Sequence, residues 1–172
     1  MFSLLRSVAN VLITVLLAPG ILAHEYGHVL GCRLWSVDVH TMPVLNPFGD
    51  DAYVEHEPVE SFSADVTIAI GPLVSNTVLG LAAFSLAAAT GHALLTLPAL
   101  WLGACFALTA FPSRSDTSTL LETVRSLSVW TRPAGYLLAW PLRGFTAIPL
   151  AGGVAGYLWM VLLYGATGGM GL

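Results

Sequence analysis

The chain has 172 residues, 56% of them hydrophobic and 9% charged, with a mean hydropathy of +0.78 and a formal net charge of −4. A soluble domain carries about a quarter charged residues, so this composition is that of a membrane protein. The six basic residues are all arginines, and they form no basic patch of the kind that holds nucleic acid, which is therefore not an expected partner.

A spanning helix needs ~20 mostly apolar residues, and four stretches meet that requirement. The first runs from about Val8 to Leu34; it is longer than the apolar core of a signal peptide and lacks a clean A-x-A cleavage site, so it reads as a retained helix. Pro19-Gly20 is expected to kink it. Next, "WSVDVHTMPVLNPFGDDAYVEHEPVESF" alternates polar and apolar residues before Pro43, Pro47 and Gly49 interrupt it, which predicts a short strand or hairpin over Val37–Val54. The second spanning helix runs from about Ala64 to Ala89. A tight turn at Thr90-Gly91-His92 leads to the third, about Ala93 to Phe111. The polar stretch "FPSRSDTSTLLETVRSLSVWTRP" predicts a short helix reaching toward Leu127, capped by Ser113, Ser115 or Asp116. "AGYLLAWPLRG" is too short to span and reads as an interfacial or re-entrant piece. The fourth spanning helix runs from about Phe145 to Tyr164.

The expected fold class is an all-α polytopic membrane protein. It has about four transmembrane helices, a short membrane-associated β element after the first, and one domain over residues 1–172. Its three-helix core covers about 8–121, and its interfacial segment and last helix about 134–165. Cys32 and Cys105 read as small buried hydrophobes, and His40, His56 and His92 as surface or interfacial residues. With the amino terminus outside, Arg33, Arg114, Arg125, Arg132 and Arg143 all face inward and only Arg6 faces out, as the positive-inside rule asks. That orientation puts the end of the first helix and the end of the third on the cytoplasmic side.

The chemistry is concentrated in "HEYGH". On a helix, His24 and His28 stand at i and i+4, so both imidazoles leave one face and can share a metal. Catalytic zinc takes three protein ligands and a water, and lowers that water's pKa to about 7. Glu25, next to the first histidine, is placed to accept the proton as general base. Two histidines and a glutamate in a bilayer-length apolar run are costly unless they have a role. The third ligand must come from elsewhere. The position six beyond His28, where a metzincin has histidine, is Leu34, and no glutamate has an aspartate four residues later. A carboxylate on the correct membrane side remains, and Asp116, just past Pro112, is the best placed; its alternative role is a helix cap. In the second helix, Gly71 permits close helix approach, and Pro72 leaves the Ile68 carbonyl without its helical amide. Asn76, on the proline's face, either steadies a substrate carbonyl or ties two helices together.

The three segments "HEYGH", "GPLVSN" and "TAFPSRSD", in that order on separate helices, resemble the site-2 protease family of intramembrane zinc metalloproteases. The resemblance covers roughly Val8 to Leu121. It implies zinc ligation by His24, His28 and Asp116, with Glu25 as general base and Gly71, Pro72 and Asn76 on the substrate side. The family's small membrane-associated sheet, thought to present substrate, has its counterpart in the strand-like stretch. Two letters depart: the family's asparagine before the proline is Thr109 here, and the glycine after the aspartate is Thr117. The expected activity is hydrolysis of a peptide bond in or near the transmembrane segment of a membrane-protein substrate. The alternative is a proteolytically inactive relative that binds membrane partners, against which an intact Glu25 argues.

Overall fold

The structure, a computed structural model, describes residues 2–45, 54–59, 61–148 and 150–168. It is mostly helical with one small sheet. In chain order the elements are α1 (Phe2–Leu16), α2 (Ala18–Leu34), β1 (Val39–Thr41), β2 (Glu55–His56), α3 (Phe62–Ala89), α4 (Ala93–Leu108), α5 (Arg114–Ser126), α6 (Arg132–Ala147) and α7 (Ala151–Ala166). Among the described residues only α3 is by itself long and apolar enough to cross a membrane. The pairs α1–α2 and α6–α7 qualify only when each bent pair is taken as one span, and α4 is shorter.

The first expected helix is thus two. α1 and α2 meet at 71° around Leu17. The physical cause is Pro19, which stands in the first turn of α2 and has no amide to continue the ladder from α1. The Leu16 carbonyl at the break is taken instead by Trp101 Nε1 at 3.1 Å and Cys105 Sγ at 3.3 Å, both from α4. Helix α3 agrees with the expected Ala64–Ala89 apart from one extra turn-opening pair at its start. Helix α4 stops at Leu108 rather than Phe111, because Pro112 cannot extend it and Thr109 already leaves helical geometry. The expected short helix exists as α5, with Ser113 as its N-cap. "AGYLLAWPLRG" is not a separate short piece but most of α6, which tolerates Pro141 in its interior; Phe145 belongs to α6, and the last helix begins only at Ala151. The strands pair antiparallel, Val39 with His56 and Thr41 with Glu55, so β2 lies just beyond the expected Val37–Val54. Residues 46–53 of that stretch lie outside the described ones.

Helices α2, α3 and α4 pack at backbone distance. A Cβ added to Gly27 would stand 2.6 Å from the Pro72 Cα, and one added to Gly31 would stand 2.7 Å from the Ile68 Cα; a Cβ on Gly71 would collide with the Gly27 carbonyl. Small residues at such crossings let helices gain van der Waals contact without a hydrophobic driving force. Phe84, Ala107 and Leu163 form a core among α3, α4 and α7. A second core, Leu120, Val124 and Ala139, joins α5 to α6. Outside these, Val78, Leu94, Leu97 and Leu158 are exposed large apolar side chains.

Candidate metal centre

Helix α2 carries His24 and His28 one turn apart, and both are buried. Their rings stand edge to face with centroids 5.0 Å apart. Each ring is held by a main-chain carbonyl. His24 Nδ1 donates to the Thr109 carbonyl at 2.7 Å, and His28 Nδ1 donates to the Ile68 carbonyl at 2.9 Å. Neither acceptor, Ile68 inside α3 nor Thr109 at the C-cap of α4, receives an amide from four residues on. Pro72 has none to offer Ile68, and the Ser113 amide instead donates to Asp116 Oδ2 at 2.6 Å. The carbonyl freed by Pro72 was legible in the sequence, and its use by His28 is the structural finding.

With Nδ1 of each ring occupied as donor, Nε2 carries the free lone pair. Both Nε2 atoms converge on one carboxylate: His24 lies 3.6 Å from Asp116 Oδ2 and His28 lies 3.5 Å from Asp116 Oδ1. His28 Nε2 is buried with no hydrogen-bond partner among the described residues. Two lone pairs facing a carboxylate at such distances repel unless positive charge stands between them. A proton on a ring or a metal ion meets that condition, and the set of two imidazoles fixed through Nδ1 plus one carboxylate suits zinc. Burial by itself would raise the Asp116 carboxyl. The two neighbouring histidines and the Ser113 amide outweigh it and hold the group well below the usual carboxylate range.

Asp116 also completes the capping box of α5: the Ser113 hydroxyl accepts from the Asp116 amide at 3.3 Å while Asp116 accepts from the Ser113 amide. The carboxylate that faces the histidines is therefore also the cap. Glu25 lies between the histidines, half-buried, with a carboxylate oxygen within 4.8 Å of a ligating nitrogen of each ring. Asp116 faces the two Nε2 atoms through different oxygens, and His24, Glu25 and His28 by themselves also stand close enough together to hold an ion.

These residues line a cavity of about 700 Å³ that also meets Val54, His56, Asp65 and Thr109. His56, expected at the surface, borders this cavity from β2. Asp65 was not singled out from the sequence as a site residue; a lone acid in a first helical turn reads as a dipole complement, and only its burial against the cavity reveals it. Gly71, Pro72 and Asn76 are not among the lining residues. The Asn76 amide, fully buried, donates to the Gly20 carbonyl at 3.2 Å, the Thr109 carbonyl at 3.2 Å and the Thr109 hydroxyl at 3.0 Å. Gly71 packs against Gly27 of α2, Pro72 leaves the Ile68 carbonyl to His28, and Asn76 holds the Thr109 carbonyl that orients His24. Comparison with known protein families, curated proteins and solved structures gave no match.

Proposed function

We propose that this chain is a multi-pass integral membrane zinc metalloprotease, similar to the site-2 proteases, that hydrolyses peptide bonds in or near transmembrane segments of its substrates. The observation that carries the reading is the pair of Nε2 atoms, each freed by an Nδ1–carbonyl hydrogen bond, facing the Asp116 carboxylate with Glu25 alongside. Zinc bound there would polarise the scissile carbonyl and the attacking water. His24, His28 and Asp116 would hold it. Glu25 would take the proton from the water and deliver it to the leaving amine. Bilayer embedding is supported by the composition, by α3, by the two bent helix pairs and by the outward apolar side chains. The four spans of the sequence reading would then be α1–α2, α3, α4 and α7, with α6 as the interfacial piece and the site toward the cytoplasmic face of the cell membrane.

A substrate helix hides its carbonyls in its own hydrogen bonds, so it must unwind locally before attack. The β1–β2 pair stands next to the cavity through Val54 and His56 and would receive the extended segment. The deciding experiment reconstitutes the purified protein in liposomes with a panel of single-span reporter substrates. Cleavage abolished by a chelator and restored by zinc supports the reading. No cleavage across the panel, with zinc bound, would replace it with a binding protein. Cysteine labelling at positions 113 and 125 tests orientation; outward labelling overturns the cytoplasmic placement.

A further inference from the structure

Helix α6 is apolar on two sides. Gly135 and Ala139 are buried, Ala139 in the core it shares with Leu120 and Val124 of α5. Leu137, Leu138 and Trp140 face outward, 78%, 56% and 66% exposed, and Trp130 in the turn between α5 and α6 is 92% exposed. Large apolar side chains gathered on one hairpin mark a surface that water does not cover. Tryptophan and tyrosine with arginine nearby are the composition of a membrane–water interface, where one end of a ring is apolar and the other wet.

Between α5 and α6 lies a cavity of about 680 Å³, lined by Leu121, Arg125, Tyr136, Leu137 and Trp140 together with two prolines. Its polar side chains are all donors: the Arg125 guanidinium, the Tyr136 hydroxyl and the Trp140 indole N–H. None of the three has a hydrogen-bond partner among the described residues, and Arg125 has no ion pair there. Glu122, one turn before Arg125, does not line the cavity. Arg132, by contrast, is spent on the Leu127 carbonyl, to which it donates at 3.2 and 2.9 Å. A basic residue in the last turn of α5 complements the helix dipole, but that role leaves the guanidinium donors unused. Unspent donors and no acid around an apolar groove match a ligand with an anionic head and a hydrocarbon tail. We propose that this groove binds an anionic phospholipid, with its phosphate on Arg125 and Tyr136 and an acyl chain along Leu137 and Trp140. The proposed orientation puts Arg125 on the cytoplasmic side, where anionic lipids concentrate. The inference rests on the membrane embedding of the proposed function, and not on proteolysis.

The test titrates the purified full-length protein, in an uncharged detergent, with phosphatidylglycerol whose brominated acyl chains quench nearby tryptophan fluorescence. Quenching should saturate, with an affinity ~5-fold or more above that of phosphatidylcholine with the same chains. Arg125→Gln should abolish the preference, and Tyr136→Phe should weaken phosphatidylglycerol binding by ~2- to ~10-fold. Arg33→Gln removes an exposed arginine at the end of α2 and should leave affinity within about twofold. Zinc content should be the same in all of them. Equal affinity for the two lipids, or equal loss in Arg33→Gln and Arg125→Gln, reduces the effect to diffuse charge and overturns the proposal. So does displacement of the lipid by inorganic phosphate at a similar concentration, which would make this a free-anion site. Cross-linking of Leu137→Cys between two copies, without saturable quenching, would give the groove to a second copy of the chain. A protein that cleaves nothing yet keeps the lipid preference sinks the protease reading alone.

Discussion

His28 Nδ1 donates to the Ile68 carbonyl at 2.9 Å, and Ile68 is the residue whose helical amide partner Pro72 removes. A proline in the interior of α3 thus supplies an acceptor to a histidine on α2. Loss of such an outer partner typically costs ~10–100-fold in metal affinity.

Pro72→Ala restores an amide at position 72 that competes for the Ile68 carbonyl. Zinc affinity, measured by competition with a calibrated chelator, should fall about tenfold. Helix α3 should be no less stable, because an interior proline costs a helix ~3 kcal/mol. Unchanged affinity would mean that His28 is oriented by packing alone.

Asp116→Ala should strip zinc from the purified protein, while Asp65→Ala should not. The substitution also removes half of the α5 capping box, so Ser113→Ala is the needed companion. Losing that cap should cost ~0.5–2 kcal/mol of stability but leave most of the zinc in place. Equal zinc in Asp116→Ala and Asp65→Ala would move the third ligand elsewhere, with Glu122 or a loop carboxylate next to be tested.

Glu25→Gln keeps size and hydrogen bonding but cannot accept a proton. Cleavage of a reporter transmembrane substrate should fall by ~10²–10⁴ while zinc content stays near wild type, because His24, His28 and Asp116 are untouched. Wild-type rates in this variant would remove Glu25 from the mechanism.

Asn76→Leu fills the same space but deserts three acceptors, two of them on Thr109. Unfolding in detergent should become easier by ~1–3 kcal/mol, the cost of leaving buried polar groups unmatched. Zinc affinity should drop in parallel, since the Thr109 carbonyl that Asn76 holds is the one that orients His24. A stability loss with full zinc affinity would restrict Asn76 to helix packing.

The sequence exposed some features directly and concealed others for identifiable reasons. The spacing of His24, Glu25 and His28 is local, so the helix alone fixes which residues share a face. Asp116 was reachable because the sequence reading put the ends of the first and third helices on one side, and its carboxylate does stand beside both histidines. Helix α3 was readable nearly end to end as one apolar run. The bend between α1 and α2 was legible as a kink at Pro19-Gly20, but not in its size of 71°, because Leu16, Leu17 and Ala18 are as apolar as their neighbours. The boundary between α6 and α7 was misplaced because Pro141 resembles a stop yet is carried inside α6. His56 and Asp65 join the cavity through tertiary packing that no local pattern records. The main-chain acceptors at Ile68 and Thr109 carry no residue signature, although Pro72 hinted at the first.

On the proposed reading, the double use of Asp116 makes metal occupancy and the beginning of α5 a single equilibrium. Its Oδ2 caps the helix through Ser113 while both oxygens face the histidines, so one rotamer serves both tasks. That start is stitched to the end of α6: Arg114 Nε donates to the Thr146 carbonyl at 2.8 Å, and Arg143 donates to the Arg114 carbonyl at 3.0 Å. Chelation would therefore register as fraying at a distance. Amide hydrogen exchange should quicken first in the opening turn of α5 and the closing turn of α6, well before the interior of α3.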